Sequence, residues 1–64
     1  MEISDAKQYV GRHCSVTFRD RHGEEITRSL HVDDIAFVPM YGPYLIGDME
    51  DVSLDRVTNI STLE

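Results

Sequence analysis

A strict alternation of apolar and polar residues constrains the fold of this chain more than any other feature. Cys14, Val16 and Phe18 fall on one side of an extended chain, and polar residues separate them. This period of two is typical of a β-strand with one buried face. Asp20 and Gly23 follow, and they suit the first position of a tight turn and a position with positive φ. We therefore predict a β-hairpin rather than a phosphate-binding loop, which needs more glycines or a Lys-Ser/Thr pair before a helix.

The rest of the chain predicts further short strands. Arg28 interrupts the second one on its apolar side, so we expect either that Arg28 lies at the rim of a barrel or that a bulge near it shifts the register. Asp33 and Asp34 are expected to end that strand, and Pro39 ends the next one because proline cannot donate to a ladder. The expected strands are 13–19, 24–32, 35–38, 44–47 and 52–54, followed by a 3₁₀ turn at 55–57 and a last segment, 58–62, that carries Ile60 inward.

The residues before the hairpin suit a short helix over about 4–10. Ser4 is a good N-cap residue, Asp5 lies at the positive end of the helix dipole, and Gly11 can close the C-terminus. A helix this short is unstable alone, so it must dock on the sheet.

The short strands and tight turns predict a mainly β fold, a small five-stranded SH3-like or Sm-like barrel with the short helix at its N-terminus. The chain has 64 residues, so we expect one domain, 1–64, with the barrel over about 13–62. An OB fold is disfavoured because the loop at 39–43 is too short for the helix which that fold carries there.

The charge of the chain is negative and unevenly placed. Of 12 acidic and 6 basic residues, residues 1–28 hold five of each, whereas residues 29–64 hold seven acids and only one base, Arg56. A phosphate backbone is repelled by such a surface, but a basic protein partner is attracted to it. The alternative is that the charge only keeps the protein in solution. The candidate partner contacts are Asp5, Asp33, Asp34, Asp48, Glu50 and Asp51.

No residue pattern indicates catalysis, a metal or a cofactor. Cys14 is the only cysteine, and the three histidines, at 13, 22 and 31, lack the short paired spacings of a zinc site. Cys14 shares its face with Val16 and Phe18, so we expect a small buried hydrophobe rather than a nucleophile. The acids at turns lack a cleft that would raise a pKa for catalysis. We expect a protein that is not an enzyme.

Aromatic and basic residues support a second interpretation. Phe37, Tyr41 and Tyr44 surround the predicted Gly42-Pro43 turn, where they either stack bases or anchor a partner, or else Phe37 and one Tyr fill the barrel while the other Tyr covers its rim. The candidate RNA contacts are Arg12, Arg19, Arg21 and Tyr41. The arginines of the hairpin alternatively pair with the acids beside them, which says little about function.

The start of the chain, MEISDAKQ, is polar, and the longest apolar run covers only residues 35–38. The first lacks the apolar core of a signal peptide, and the second is far too short to span a membrane. With a single cysteine, these features favour a reducing, cytoplasmic location with no membrane partner.

Two families have similar sequence features. Residues 9–20, closing at Gly23, are similar to the opening of Sm-like proteins, where a helix ends in a glycine and a first strand leads into an Asp-Gly type turn. The second Sm signature, with its Arg-Gly pair, is absent, and residues 55–60 take its place. The chain also resembles the Rho-binding antiterminators, which are small acidic bacterial proteins with an Sm-like barrel. The similar elements, in the same order, are Cys14, Asp20 with Gly23, Tyr44-Leu45 and Leu54-Asp55-Arg56-Val57.

The second resemblance implies a regulator that binds the transcription termination factor Rho and blocks its RNA-binding surface, with acidic side chains meeting basic residues of Rho. Our leading hypothesis is therefore a non-enzymatic protein-binding regulator that acts through an acidic face. The first alternative is an Sm-like homo-oligomer that binds RNA, since open barrels expose strand edges through which copies can join. The second is an accessory structural module without a ligand of its own.

Overall fold

The computed structural model describes residues 2–63 as a mainly β fold with one short helix; Met1 and Glu64 of the expected domain lie outside the described residues. The elements are α1 (Ile3–Lys7), β1 (His13–Arg19), β2 (Glu25–Val38), β3 (Gly42–Gly47), β4 (Asp51–Ser53), a 3₁₀ turn (Leu54–Arg56) and β5 (Val57–Thr62). All strand pairs are antiparallel, and they form one five-stranded sheet in the order β4-β3-β2-β1-β5.

The hairpin between β1 and β2 confirms the prediction from the alternating pattern. Its turn is held by the Asp20 side chain, whose Oδ1 accepts hydrogen bonds from the backbone N–H groups of His22 at 2.8 Å and Glu24 at 3.0 Å. Gly23 supplies the positive φ of 84° that the turn requires. In the ladder beyond it, Phe18 pairs with Ile26, and the register runs without a break to the start of β1.

The long strand β2 corrects the sequence prediction of two separate strands. Asp33 and Asp34 do not end the strand, because the chain continues through them in one extended run from Glu25 to Val38. The ladder with β3 shifts here: Val32 pairs with Gly47 and Asp34 with Ile46. Two steps along β2 therefore match one step along β3, which is the signature of a β-bulge. This break divides β2 between a half that pairs with β1 and a half that pairs with β3.

Arg28 is not the site of the break. It pairs with Val16 in regular register, so the expected bulge lies several residues further on. The Arg28 side chain is exposed and reaches Glu50, with 3.5 Å between Nη1 and Oε2. The long side chain thus leaves the apolar face without any change of register.

One apolar cluster joins both halves of the sheet. Cys14 is completely buried in it, which confirms the expectation that it behaves as a small hydrophobe. Full burial of each Leu or Val contributes about 1.5–3 kcal/mol to folding. No polar or charged side chain is buried among residues 2–63. The buried residues are Ala6, Cys14, Val16, Leu30, Val32, Ile35, Leu45, Val52, Leu54, Val57 and Ile60.

The helix is shorter than the predicted span of about 4–10, because it ends at Lys7. Ser4 is not its N-cap: the cap position is Glu2, and no side chain there bonds to the helix. Residues 8–11 leave the helix as turns, and Gly11, with φ of 85°, donates its N–H to the Val32 carbonyl at 2.7 Å. The expected docking is confirmed, since Ala6 is fully buried in the core.

Within residues 2–63, no helix has the length and apolar character to cross a membrane.

Candidate functional site

The acidic residues that follow Arg28 in the described chain lie on β2, in the β3–β4 turn, on β4 and in the 3₁₀ turn. We define residues 29–55 as the acidic segment, because it contains six acids and neither Lys nor Arg. Glu50 is half-buried and the other five acids are exposed. The acids are Asp33, Asp34, Asp48, Glu50, Asp51 and Asp55.

His31 connects two of the predicted contact residues. Its backbone N–H donates to Oδ1 of Asp48 at 3.0 Å, and its ring Nδ1 lies 2.8 Å from Oδ1 of Asp33. The Asp33 hydrogen bond is the main reason why the pKa of His31 is raised above its ordinary value of 6.5, while desolvation opposes the rise. The carbonyl of Gly11 and the charge of Asp48 raise it further. These contacts fix Asp33 and Asp48 near each other at the bend of β2.

The remaining predicted acids are held differently. Asp34 Oδ1 accepts a hydrogen bond from the N–H of Ile35 at 2.8 Å, which orients its carboxylate. Glu50 pairs with Arg28 in a partly exposed ion pair, a type of contact worth only about 0–1 kcal/mol. Asp51 begins β4 and faces a groove, and Asp5 is exposed on α1. Contacts around His31 therefore connect only Asp33 and Asp48 of the predicted acidic set, and Asp5 belongs to a different element.

A groove of about 390 Å³ lies beside the 3₁₀ turn. It brings together Arg19 and Tyr41 of the predicted RNA contacts, whereas Arg12 and Arg21 do not line it. Arg19 is engaged with Glu25, 3.6 Å away. The groove residues are Phe18, Arg19, Tyr41, Tyr44, Asp51, Val52, Ser53 and Arg56.

Arg56 is the charged groove residue that the sequence analysis did not select as a contact. Across residues 2–63, no carboxylate lies within ion-pair distance of Arg56. One signal in the sequence pointed to it, since it is the single base of residues 29–64. Its place in the groove depends on the 3₁₀ turn, which returns the chain from β4 toward β1.

The turn between β2 and β3 exposes large apolar side chains, which we call the apolar tip: Phe37, Met40 and Tyr41. Their exposed fractions are 66%, 100% and 70%. The alternative in which Phe37 fills the barrel is therefore wrong, while Tyr44 is half-buried. The Tyr41 N–H closes the turn on the Val38 carbonyl at 3.0 Å. Met40 has φ of 75°, a conformation that costs a residue with a Cβ about 1–2 kcal/mol.

In the described part of the chain, no three His, Cys, Asp or Glu side chains are grouped as a metal site. His22 lies in the hairpin turn, whereas His13 at the start of β1 pairs with His31 across the β1–β2 ladder. In comparisons with known proteins, no family model, no curated protein and no solved structure matches this chain.

Proposed function

We propose that this chain is a non-enzymatic binding module whose acidic segment docks a basic protein partner. The observation that carries the proposal is the exposure of acidic side chains on β2, in the β3–β4 turn, on β4 and in the 3₁₀ turn, with no Lys or Arg in residues 29–55. Such a surface attracts a cationic partner, accelerates the encounter and repels phosphate backbones.

We further propose that the bent sheet is a partly open SH3-like or Sm-like barrel. The bulge at Asp33 allows both halves of β2 to cover one apolar cluster, as the second strand of a small barrel does. β4 and β5 are the two edges of the sheet. In this arrangement the acidic bend and the β3–β4 turn lie on a scaffold fixed by core packing rather than on a long loop.

Rho is the partner that the sequence resemblance implies, and the acidic segment suits it chemically. A protein that binds RNA through Lys and Arg side chains presents a surface complementary to clustered carboxylates. Occupation of that surface by Asp33, Asp34 and Asp48 would exclude RNA and suppress Rho-dependent termination. The proposed regulation is therefore competition, without any chemical step.

The test is a binding titration against purified Rho at low and high salt. The double variant Asp33→Asn, Asp34→Asn removes two charges while keeping side-chain size and hydrogen-bonding capacity. It should weaken binding at low salt and make binding less dependent on salt concentration. The matched control Glu24→Gln, Glu25→Gln removes the same charge from the hairpin and should weaken binding less. Equal effects of the two double variants would show that only net charge matters, and undetectable binding to Rho would reject this partner.

A second candidate function, RNA binding, is favoured by the groove. Phe18, Tyr41 and Tyr44 offer ring surfaces for base stacking, and Arg19 and Arg56 offer cations for phosphate. Filter binding with single-stranded RNA should then show an affinity that falls with salt and is lowered by Arg56→Gln. Arg21→Gln is the control, since Arg21 does not line the groove. Absence of salt-sensitive RNA binding would reject this function.

A further inference from the structure

The groove beside the 3₁₀ turn combines three kinds of side chain on one small surface. It is lined by three aromatic rings, by two arginines and by two hydrogen-bonding side chains, Asp51 and Ser53. Its volume of about 390 Å³ lies near the lower end of the range for small-molecule sites, which is about 300–1,000 Å³. Sites for single strands of nucleic acid are longer, since one OB fold covers roughly 4–16 nucleotides. The size of the groove therefore indicates one compact ligand rather than the length of a strand.

Regular strand pairing positions the aromatic and hydrogen-bonding groups together. Tyr44 lies directly opposite Ser53 in the β3–β4 ladder, and Asp51 is two residues from Ser53 on β4. Side chains two residues apart on a strand share a face, so the ring and both hydrogen-bonding groups lie on the same side of the sheet. One ligand can therefore contact a ring, a hydroxyl and a carboxylate at once.

A register shift places Arg56 beside the end of β1. The β1–β5 register shifts between Thr17 and Phe18, so that Phe18 pairs with Val57. Arg56 immediately precedes Val57 and lines the groove together with Phe18. Within residues 2–63, Arg56 has no carboxylate at ion-pair distance, so its guanidinium is available to an anion.

The second cation of the groove, Arg19, is held only weakly by the chain itself. Its ion pair with Glu25 spans 3.6 Å between side chains that are each 56% exposed, and it donates to the Gly23 carbonyl at 3.3 Å. An exposed pair of this kind contributes little, so a ligand can replace Glu25 as the partner. Guanidinium groups bind phosphate with paired hydrogen bonds, and Arg19 and Arg56 offer two of them to one phosphate.

We propose that the groove binds a single nucleotide that carries a terminal phosphate. The base stacks on the ring of Tyr41, which is 70% exposed, and the phosphate is held by Arg19 and Arg56. Asp51 accepts a hydrogen bond from a ribose hydroxyl or from an amino group of the base. This inference rests on the RNA function proposed for the groove, which it narrows to one nucleotide, and it is independent of the acidic segment.

The charges around the groove limit the ligand to one nucleotide. Asp51 lines the groove, and the Asp55 carboxylate lies 3.7 Å from the position that a Cβ on Gly42 would take. Further phosphates of a strand would approach these carboxylates without meeting further cations, because Arg12 and Arg21 do not line the groove. A single phosphate meets both arginines and leaves Asp51 to the hydrogen-bond donors of the same ligand.

Three probes separate the parts of the proposed ligand: adenosine 5′-monophosphate, adenosine without the phosphate, and ribose 5-phosphate without the base. Each is titrated into the isotopically labelled chain while backbone amide shifts are followed. The monophosphate should bind about tenfold or more tightly than either fragment, because each fragment lacks the stacked base or the charge-assisted contact. The shifts should be largest at residues 18–19, 44 and 51–56. Equal binding of the monophosphate and ribose 5-phosphate would leave only an anion site and overturn the nucleotide.

Two variants separate the contacts within the groove. Arg56→Gln should weaken the monophosphate about tenfold and leave adenosine unchanged, because only a phosphate contact is lost. Tyr41→Ser should weaken the monophosphate and adenosine by the same factor and leave ribose 5-phosphate unchanged. Both side chains are exposed, so both variants should fold, and Arg21→Gln is the control outside the groove. Unchanged affinity for the monophosphate in Arg56→Gln and Tyr41→Ser would overturn the assigned contacts.

RNA strands of mixed sequence identify the source of the nucleotide. A 5′-phosphorylated strand that binds as tightly as the monophosphate would identify a strand end, whereas weaker binding of the strand would identify the free nucleotide; both results support the site. Affinity that rises steadily with strand length would overturn the limit of one nucleotide and leave RNA binding in place. Binding of neither the monophosphate nor any strand would remove the RNA function and the site together. Tighter binding of a peptide of Glu and Phe would identify an acidic peptide as the occupant and overturn the nucleotide.

Discussion

At the scale of single residues, the strained backbone conformation of Met40 is expected to lower the stability of the folded protein. Its φ of 75° favours Gly or Asn, because a short polar side chain tolerates the left-handed region better than a long apolar one. Met40→Asn should therefore raise the free energy of unfolding by about 0.5–1 kcal/mol, measured by urea denaturation. Met49→Asn is the control, since Met49 is also exposed but does not have a positive φ. A less stable Met40→Asn variant would contradict the strain argument.

His31 provides a pH-dependent prediction. The pKa of His31 is raised in the fold, chiefly by the hydrogen bond to Asp33, so the charged imidazole is stabilised relative to the unfolded chain. This stabilisation is complete below the unfolded pKa near 6.5 and is lost as pH rises through the higher folded pKa. Asp33→Asn should therefore destabilise the protein more at about pH 5 than at about pH 8.

The same contact can be followed directly by an NMR titration of the His31 ring. The pKa of His31 should fall in Asp33→Asn, because the main cause of its raised value is removed. Glu24→Gln serves as the control, since the backbone of Glu24 bonds to Asp20 in the hairpin turn, away from His31. A His31 pKa that stays the same in Asp33→Asn would show that Asp33 is not its partner in solution.

At the scale of elements, β2 shows where local sequence rules succeed and where they fail. The hairpin was predictable because Asp20 and Gly23 act within the turn itself. The continuation through Asp33 and Asp34 was not, because both residues disfavour strands locally while pairing with β3 keeps the chain extended. The bulge also changes the side-chain parity along β2, so an apolar run alone could not show that Phe37 is exposed.

The β3–β4 turn depends on the absence of a side chain at Gly47. A Cβ there would lie 2.8 Å from the Glu50 carbonyl oxygen and 3.0 Å from a Leu30 methyl group. The carbonyl belongs to the backbone and accepts the Gly47 N–H, so it cannot move without opening the turn. Gly47→Ala should therefore destabilise the protein by about 1–3 kcal/mol in urea denaturation.

Thr62→Ala is a suitable control for Gly47→Ala. Thr62 is exposed on β5 and already has a Cβ, so its truncation should change the free energy of unfolding by less than about 0.5 kcal/mol. A Gly47→Ala variant as stable as the unmodified chain would mean that the turn accommodates the methyl group. The acidic side chains of the turn would then be less rigidly positioned than the contacts with His31 and Arg28 indicate.

At the scale of the whole molecule, charge was more predictable than geometry. The acidic excess after residue 28 could be counted directly, and six of those acids lie on β2, in the β3–β4 turn, on β4 and in the 3₁₀ turn. The groove was not predictable, because Arg19 and Arg56 are far apart in sequence and meet only through the pairing of β5 with β1. Arg12 and Arg21 were selected for their type, but they do not line the groove.

The two edges of the sheet differ, and their difference predicts the solution state. β4 is only three residues long and carries the exposed Asp51, features that discourage pairing with another strand. β5 has six residues with exposed neutral side chains, so it is the more open edge. A ring would require β4 of one copy to pair with β5 of the next, between chains of net charge −6. Light scattering at low salt should therefore give the mass of one chain, 7.3 kDa.

Higher salt screens the repulsion between copies but leaves the short β4 edge unchanged. We therefore expect at most a dimer through paired β5 strands, because symmetric pairing of one edge closes after two chains. Ser61→Lys, on the exposed side of β5, should abolish such a dimer, whereas Ser4→Lys on α1 adds the same charge away from the edge and should not. A ring-sized mass at either salt concentration would contradict this edge argument and make RNA binding in the groove the function to test first.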